Sequence, residues 1–151
     1  MRIIKLAIIS GVFFFLLLMA FTLFIPSDIR ISRAIDIKAE KPALLPYIQD
    51  TSKWSQWNKY LMDTSRRFRI EELKVSDSLV TSLWLSGDRK FTSALAIYET
   101  RTGTLTVQWY FDFDLGWYPW EKIAGITYDK QTGPVMEESL ATLKRVVEAN
   151  P

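Results

Sequence analysis

The stretch Leu105-Thr106-Val107-Gln108-Trp109-Tyr110-Phe111-Asp112-Phe113 decides the fold. Successive side chains of a strand point to opposite faces, so its odd positions make an apolar face and its even positions a polar one. Leu79 to Leu85 and Phe91 to Ile97 precede it with a similar period. The connections Ser86-Gly87-Asp88-Arg89-Lys90 and Thr100-Arg101-Thr102-Gly103 are of hairpin length, which predicts an antiparallel meander. On this reading the odd-numbered face carries Leu79, Leu83, Leu85, Phe91, Leu95, Ile97, Leu105, Val107, Trp109, Phe111 and Phe113. Further upstream, Phe68 and Ile70 share one parity while Leu73 and Val75 take the other, which predicts a bulge at Glu71-Glu72.

A sheet with one apolar face needs a cover. The last helix supplies it: Thr132-Gly133-Pro134 marks a start, and Met136, Leu140, Leu143 and Val147 form one stripe. Glu137 and Glu138 near its beginning and Lys144 and Arg145 near its end complement the helix dipole.

At the other end of the soluble part, Ile29, Ile31, Ile35 and Ile37 alternate as a strand with one buried side. Arg33 falls on that same face, so it needs an acidic partner near a sheet edge or, alternatively, serves as a cation in a ligand cavity. After Pro42, the residues Leu44, Leu45 and Ile48 predict a short helix that keeps Pro46 within its first turn. A second helix is predicted from the caps Asp50-Thr51-Ser52, carrying Trp54, Trp57 and Leu61 on one side.

Ahead of all this lies a charge-free apolar run from Leu6 to Ser27. A hydrocarbon core of about 30 Å needs roughly 20 helical residues, and Leu6 to Ile25 meets that length before Pro26. The run is longer than a cleavable signal core and ends in Phe21-Thr22-Leu23-Phe24-Ile25 rather than a small-x-small site, so we read an anchor. The chain thus divides into a tail and transmembrane anchor, residues 1–26, and one folded domain, residues 27–151, of a size suited to one core. Arg2 and Lys5 stand before the span without acids, whereas Asp28, Asp36 and Glu40 dilute the bases after it. That asymmetry points to a single-pass inner-membrane protein with its tail in the cytoplasm and its domain extracytoplasmic.

Composition excludes several chemistries. There is no Cys and no His, hence no thiolate nucleophile, no disulfide, no Ser-His-Asp triad and no expected metal site or cofactor. Two of the 19 Lys and Arg precede the span, so the remainder balances the 17 Asp and Glu and leaves no basic nucleic-acid footprint. Arg66-Arg67 with Arg69 is read as an ordinary solvated turn and strand start rather than a headgroup-binding cluster. Asp112 and Asp114 are read as a solvent face.

Some residue patterns are more specific. Pro26-Ser27-Asp28, Arg30, Arg33, Ile35, Ile37 and Ala39, then Leu45-Pro46-Tyr47-Ile48, then Trp54 and Trp57, resemble the opening of membrane-anchored bacterial members of the SRPBCC superfamily. That superfamily includes START, Bet v 1-like and polyketide cyclase-like domains. Val107 with Trp109, and Glu138-Ser139-Leu140 followed by Leu143-Lys144, fit its closing strand and helix. The resemblance implies an α+β helix-grip fold, an antiparallel sheet wrapped on a long C-terminal helix. It also implies an apolar cavity between them for a lipid, polyketide or other hydrophobic small molecule. The residues assigned to that cavity are Arg33, Leu83, Leu85, Leu95, Ile97, Val107, Trp109, Phe111, Trp117, Trp120, Met136, Leu140 and Leu143. Trp117-Tyr118-Pro119-Trp120 is expected to plug the space beneath the helix, rather than to act as a lid or rest at the membrane interface. The alternatives to a ligand-binding domain are an interaction module whose cavity is filled by its own Trp and Phe, and a cyclase- or hydrolase-like enzyme working with Asp, Glu, Tyr or Arg33.

Overall fold

The computed structural model describes residues 2–63 and 68–150. It opens with α1 (Arg2–Thr22), whose 21 residues extend about 31 Å at 1.5 Å each. The helix is long and apolar enough to cross a membrane and is exposed along almost its whole length. It ends at Thr22, short of Ile25, and a tight turn leads into β1 (Asp28–Ile37). Then follow α2 (Lys41–Gln49), a 3₁₀ segment (Thr51–Gln56) and the single-turn α3 (Lys59–Met62). Four strands come next: β2 (Phe68–Val75), β3 (Leu79–Ser86), β4 (Arg89–Arg101) and β5 (Thr104–Asp114). The chain closes with α4 (Pro119–Gly125) and the long α5 (Tyr128–Glu148).

The five strands form one antiparallel sheet in the order β1-β5-β4-β3-β2, with α5 laid along the inner face beside β1. This is the helix-grip α+β fold. Ile31, Ile37, Val107, Phe111 and Leu95 from the sheet meet Met136, Leu140, Leu143 and Val147 from α5 in the core. Trp54 and Trp57 fill the remaining inner surface, their indole N–H groups donating to the backbone oxygens of Ile48 (2.8 Å) and Tyr47 (2.9 Å).

Three local readings are corrected. In β3 the inward residues are Val80, Ser82 and Trp84, while Leu83 and Leu85 lie on the opposite face. The cause is turn length. Ser86 pairs directly with Arg89, leaving a two-residue turn at Gly87-Asp88 with Gly87 at φ 61°, so even positions of β3 sit beside odd positions of β4. Trp84 thereby packs against Phe91 and Trp54, which buries more apolar surface than a leucine would. Two inward serines, Ser82 of β3 and Ser93 of β4, interrupt the apolar pattern and act as hydrogen-bond acceptors. Ser82 Oγ receives Trp84 Nε1 and Ser93 Oγ receives Trp109 Nε1, each at 2.8 Å.

The second correction concerns α5, which begins at Tyr128, so that Gly133 and Pro134 lie inside it. Arg33 packs against this first part of the helix. Its guanidinium presses against Gly133, where any Cβ would collide, and it donates to Glu137 Oε1 (2.7 Å) and Asp129 Oδ1 (2.9 Å) on either side. The acidic partners expected for a cation on an edge strand are therefore both on α5. Its hydrogen bond to Glu137 raises the Arg33 pKa above its ordinary value, with Asp129 adding to the effect against the opposing pull of burial. Third, Pro46 is the sixth residue of α2 rather than part of its first turn, though the helix is short, as expected. The predicted bulge is present, at Glu71 between the paired residues Ile70 and Glu72.

Candidate functional site

The space directly beneath α5 is filled. Leu95, Ile97, Val107, Trp109, Met136, Leu140 and Leu143 are all buried within the packed core, with Trp109 edge-on to Trp57 at a centroid distance of 5.6 Å. Among the described residues a half-open cleft of about 830 Å³ lies at one end of the sheet. Its floor is aromatic: Phe68 of β2, Trp84 of β3, Phe91 of β4, and Phe111 and Phe113 of β5, with Tyr60 from α3 and Tyr128 from α5 as walls.

Local sequence explains why rings collect here. Register pairs Phe91 with Phe113 across β4 and β5, and Trp84 with Phe91 across β3 and β4, so one row of inward positions brings bulky residues side by side. Tyr60 stands edge-on to Phe68 (5.4 Å) and Phe111 (5.7 Å), and its hydroxyl donates to the Thr132 carbonyl of α5 at 3.2 Å.

The rim is charged, carrying Asp88, Arg89 and Lys90 of the β3–β4 hairpin, Asp114 at the end of β5, and Glu121 of α4. Arg89 Nη1 donates to the Tyr128 hydroxyl at 2.6 Å, tying the hairpin to α5 across the opening. Glu121 is distinctive. Among the described residues its buried Oε2 has no hydrogen-bond partner, and a side chain at Gly116 would collide with that carboxylate. An orphaned buried acceptor is costly, about 1 to 3 kcal/mol, unless a donor from elsewhere fills the place.

Of the residues assigned to the cavity from sequence, Phe111 lines this cleft. Leu83 and Leu85 face outward, and Arg33 is engaged by Glu137, Asp129 and the Ser32 carbonyl. Trp117 and Trp120 are exposed, by 65% and 61%, so the aromatic segment is no plug: Pro119 starts a short helix that points its rings outward. Arg66 and Arg67 lie outside the described residues. Tyr60, Phe68, Trp84, Phe91, Phe113, Tyr128 and Glu121 were not singled out for the site, although Phe91 and Phe113 stood on the expected inner face. The two-residue turn at Gly87-Asp88 is the sequence signal that would have added Trp84.

No family model matches the chain, and no curated protein does. Solved structures do; those described below are under 25% identical to this chain and show a shared fold. The chain is similar to the di-domain aromatase/cyclase BexL from the BE-7585A biosynthetic pathway, with a TM-score of 0.61, 12% identity, and 82% of this chain against 48% of that one. It thus spans about half the length of that di-domain protein. A START superfamily protein from Mycobacterium smegmatis matches with a TM-score of 0.58 and 14% identity, over 81% of this chain and 99% of that one. The Zhui aromatase/cyclase from Streptomyces sp. R1128 matches at 0.59 and 7% identity, over 80% and 94%. The chain accordingly shares the helix-grip fold of these START and aromatase/cyclase structures.

Proposed function

We propose that this is a membrane-anchored domain that binds a hydrophobic small molecule or lipid, held in the aromatic cleft at the end of the sheet rather than beneath the middle of α5. The observation that carries this reading is the cleft itself. An opening of about 830 Å³ floored by five aromatic rings and edged by charges suits a ligand with an apolar body and a polar end. The unpartnered Glu121 Oε2 supplies an acceptor for a hydroxyl, amide or ammonium donor on that polar end. The aromatase/cyclase and START names of structural neighbours are compatible with such a ligand. The two tyrosines of the cleft are tied to Thr132 and Arg89, which fits walls that hold a ligand.

The membrane role rests on α1, with Arg2 and Lys5 on the cytoplasmic side and the domain outside. The tightly filled centre of the fold would suit an interaction module; the aromatic end cleft favours ligand binding. The test is native mass spectrometry of the full chain released from nanodiscs. A bound apolar species that disappears in Ser86→Trp supports the proposal, because Ser86 is an inward position lining the cleft. A chain that stays free of ligand across a panel of lipids and aromatic polyketide-like compounds refutes it.

A further inference from the structure

The two faces of α4 are built differently. Lys122 and Gly125 turn inward: Lys122 is 5% exposed, and a Cβ at Gly125 would meet Ile29 and Leu115. Lys122 Nζ donates to the carbonyls of Thr22 (2.9 Å) and Ile25 (2.8 Å), where the apolar helix α1 ends. Terminal carbonyls of a helix lack intrahelical partners and carry the negative end of its dipole, so an ammonium there satisfies both needs. Leu115 N–H adds a bond to the Ser27 carbonyl at 2.6 Å. The folded domain is thus fixed to the end of its own anchor.

The outward face carries Trp117, Tyr118, Trp120, Ile123 and Ile126, all exposed. Tyr118 and Trp120 stack on each other at 4.7 Å and 11° instead of on the core. A contiguous patch of this kind on a water-facing surface calls for a partner. Its composition is that of the headgroup boundary, where Trp and Tyr concentrate. Its position agrees, since α4 packs against the end of α1 through Lys122, and Phe21, Leu23 and Phe24 at that end of α1 are exposed as well.

We propose that residues 117–126 form a membrane seat: this segment lies in the headgroup region of the leaflet that the end of α1 reaches, and the occupant of its aromatic face is lipid. The inference rests on α1 as a membrane span. Glu121 of the same helix also lines the cleft, so the seat and the cleft share α4.

The absence of cysteine allows single spin labels to be placed without further changes. The full chain, reconstituted in phosphatidylcholine vesicles with a quarter phosphatidylglycerol, is labelled separately at Phe14→Cys, Ile123→Cys, Ile126→Cys and Tyr98→Cys. Collision with oxygen and with a water-soluble nickel chelate gives the depth. The proposal expects Phe14 deep in the bilayer, Tyr98 in water, and Ile123 and Ile126 about 5 to 10 Å below the surface. It also expects Lys122→Met to make the Ile123 label shallower and more mobile. Labels at 123 and 126 as accessible to nickel as the label at 98, with Phe14 still deep, overturn the seat and leave the anchor standing. A water-exposed Phe14 label overturns both. An unchanged depth and mobility in Lys122→Met overturns the lysine's part.

Discussion

Removing the Ser93 hydroxyl tests the packing logic of the sheet at a single atom. Trp109 is fully buried, and its Nε1–H has Ser93 Oγ as acceptor at 2.8 Å. Ser93→Ala deletes that acceptor while the indole stays trapped among Trp57, Tyr60 and Phe111. Leaving one buried donor unsatisfied costs about 1 to 3 kcal/mol. Unfolding entropy of about 2.1 cal/mol/K per residue over roughly 120 residues is about 0.25 kcal/mol/K, so the Tm should fall by about 4 to 12 °C. The assay is thermal unfolding of the full chain in detergent, followed by near-ultraviolet circular dichroism. A double-mutant cycle sharpens it: once Trp109→Phe has removed the donor, Ser93→Ala should lose most of its effect, a coupling of about 1 kcal/mol or more. The reasoning is refuted if Ser93→Ala changes stability by less than about 0.5 kcal/mol, or destabilises equally in both backgrounds.

Further outcomes are expected elsewhere. Gly133→Ala should forfeit the gain of up to about 1 kcal/mol that alanine's better helix propensity offers, because its Cβ displaces the Arg33 guanidinium from its exposed carboxylate partners; in an Arg33→Ala background the same change should stabilise by up to about 1 kcal/mol in chemical denaturation. Gly87→Ala should cost about 1 to 2 kcal/mol in the same assay, since its φ of 61° is strained for any side chain. At Asp50, the hydrogen bonds from Ser52, side chain first and then backbone, hold the carboxyl below the usual carboxylate range, so its contribution is complete above about pH 3.9 and vanishes as pH falls through the lowered pKa. The Tm difference between the parent and Asp50→Asn should therefore be constant near neutrality and shrink in strong acid.

Much of the architecture was legible because single-residue periodicity is a local property. The alternation in Leu105 to Phe113, the stripe from Met136 to Val147 and the parity change around Glu71 each survive in the structure. What was not legible depends on contacts between elements. Whether Leu83 or Trp84 faces inward turns on whether the Ser86 to Lys90 connection closes over two residues, and an inward serine reads as polar until its tryptophan partner is known. The close approach of Arg33 to Gly133 inside α5 is likewise a contact between elements. The site was harder still. A cavity is where side chains fail to meet, and the sequence has no marker for that; the residues nominated beneath α5 pack closely, whereas the opening lies where β3, β4 and β5 run out beside α4. The outward turn of Trp117 and Trp120 likewise depends on Lys122 finding the carbonyls at the end of α1.

The most direct test of the ligand-binding account is photocrosslinking of the full chain in nanodiscs with a diazirine-bearing long-chain fatty acid, the labelled residues being mapped by peptide mass spectrometry. The account predicts adducts on Tyr60, Phe111, Phe113 or Tyr128, abolished by Ser86→Trp, which fills the cleft, and retained in Leu85→Trp, which adds the same ring to the outer face of the same strand. Adducts confined to α1, or cleft labelling that Ser86→Trp leaves unchanged, would contradict it.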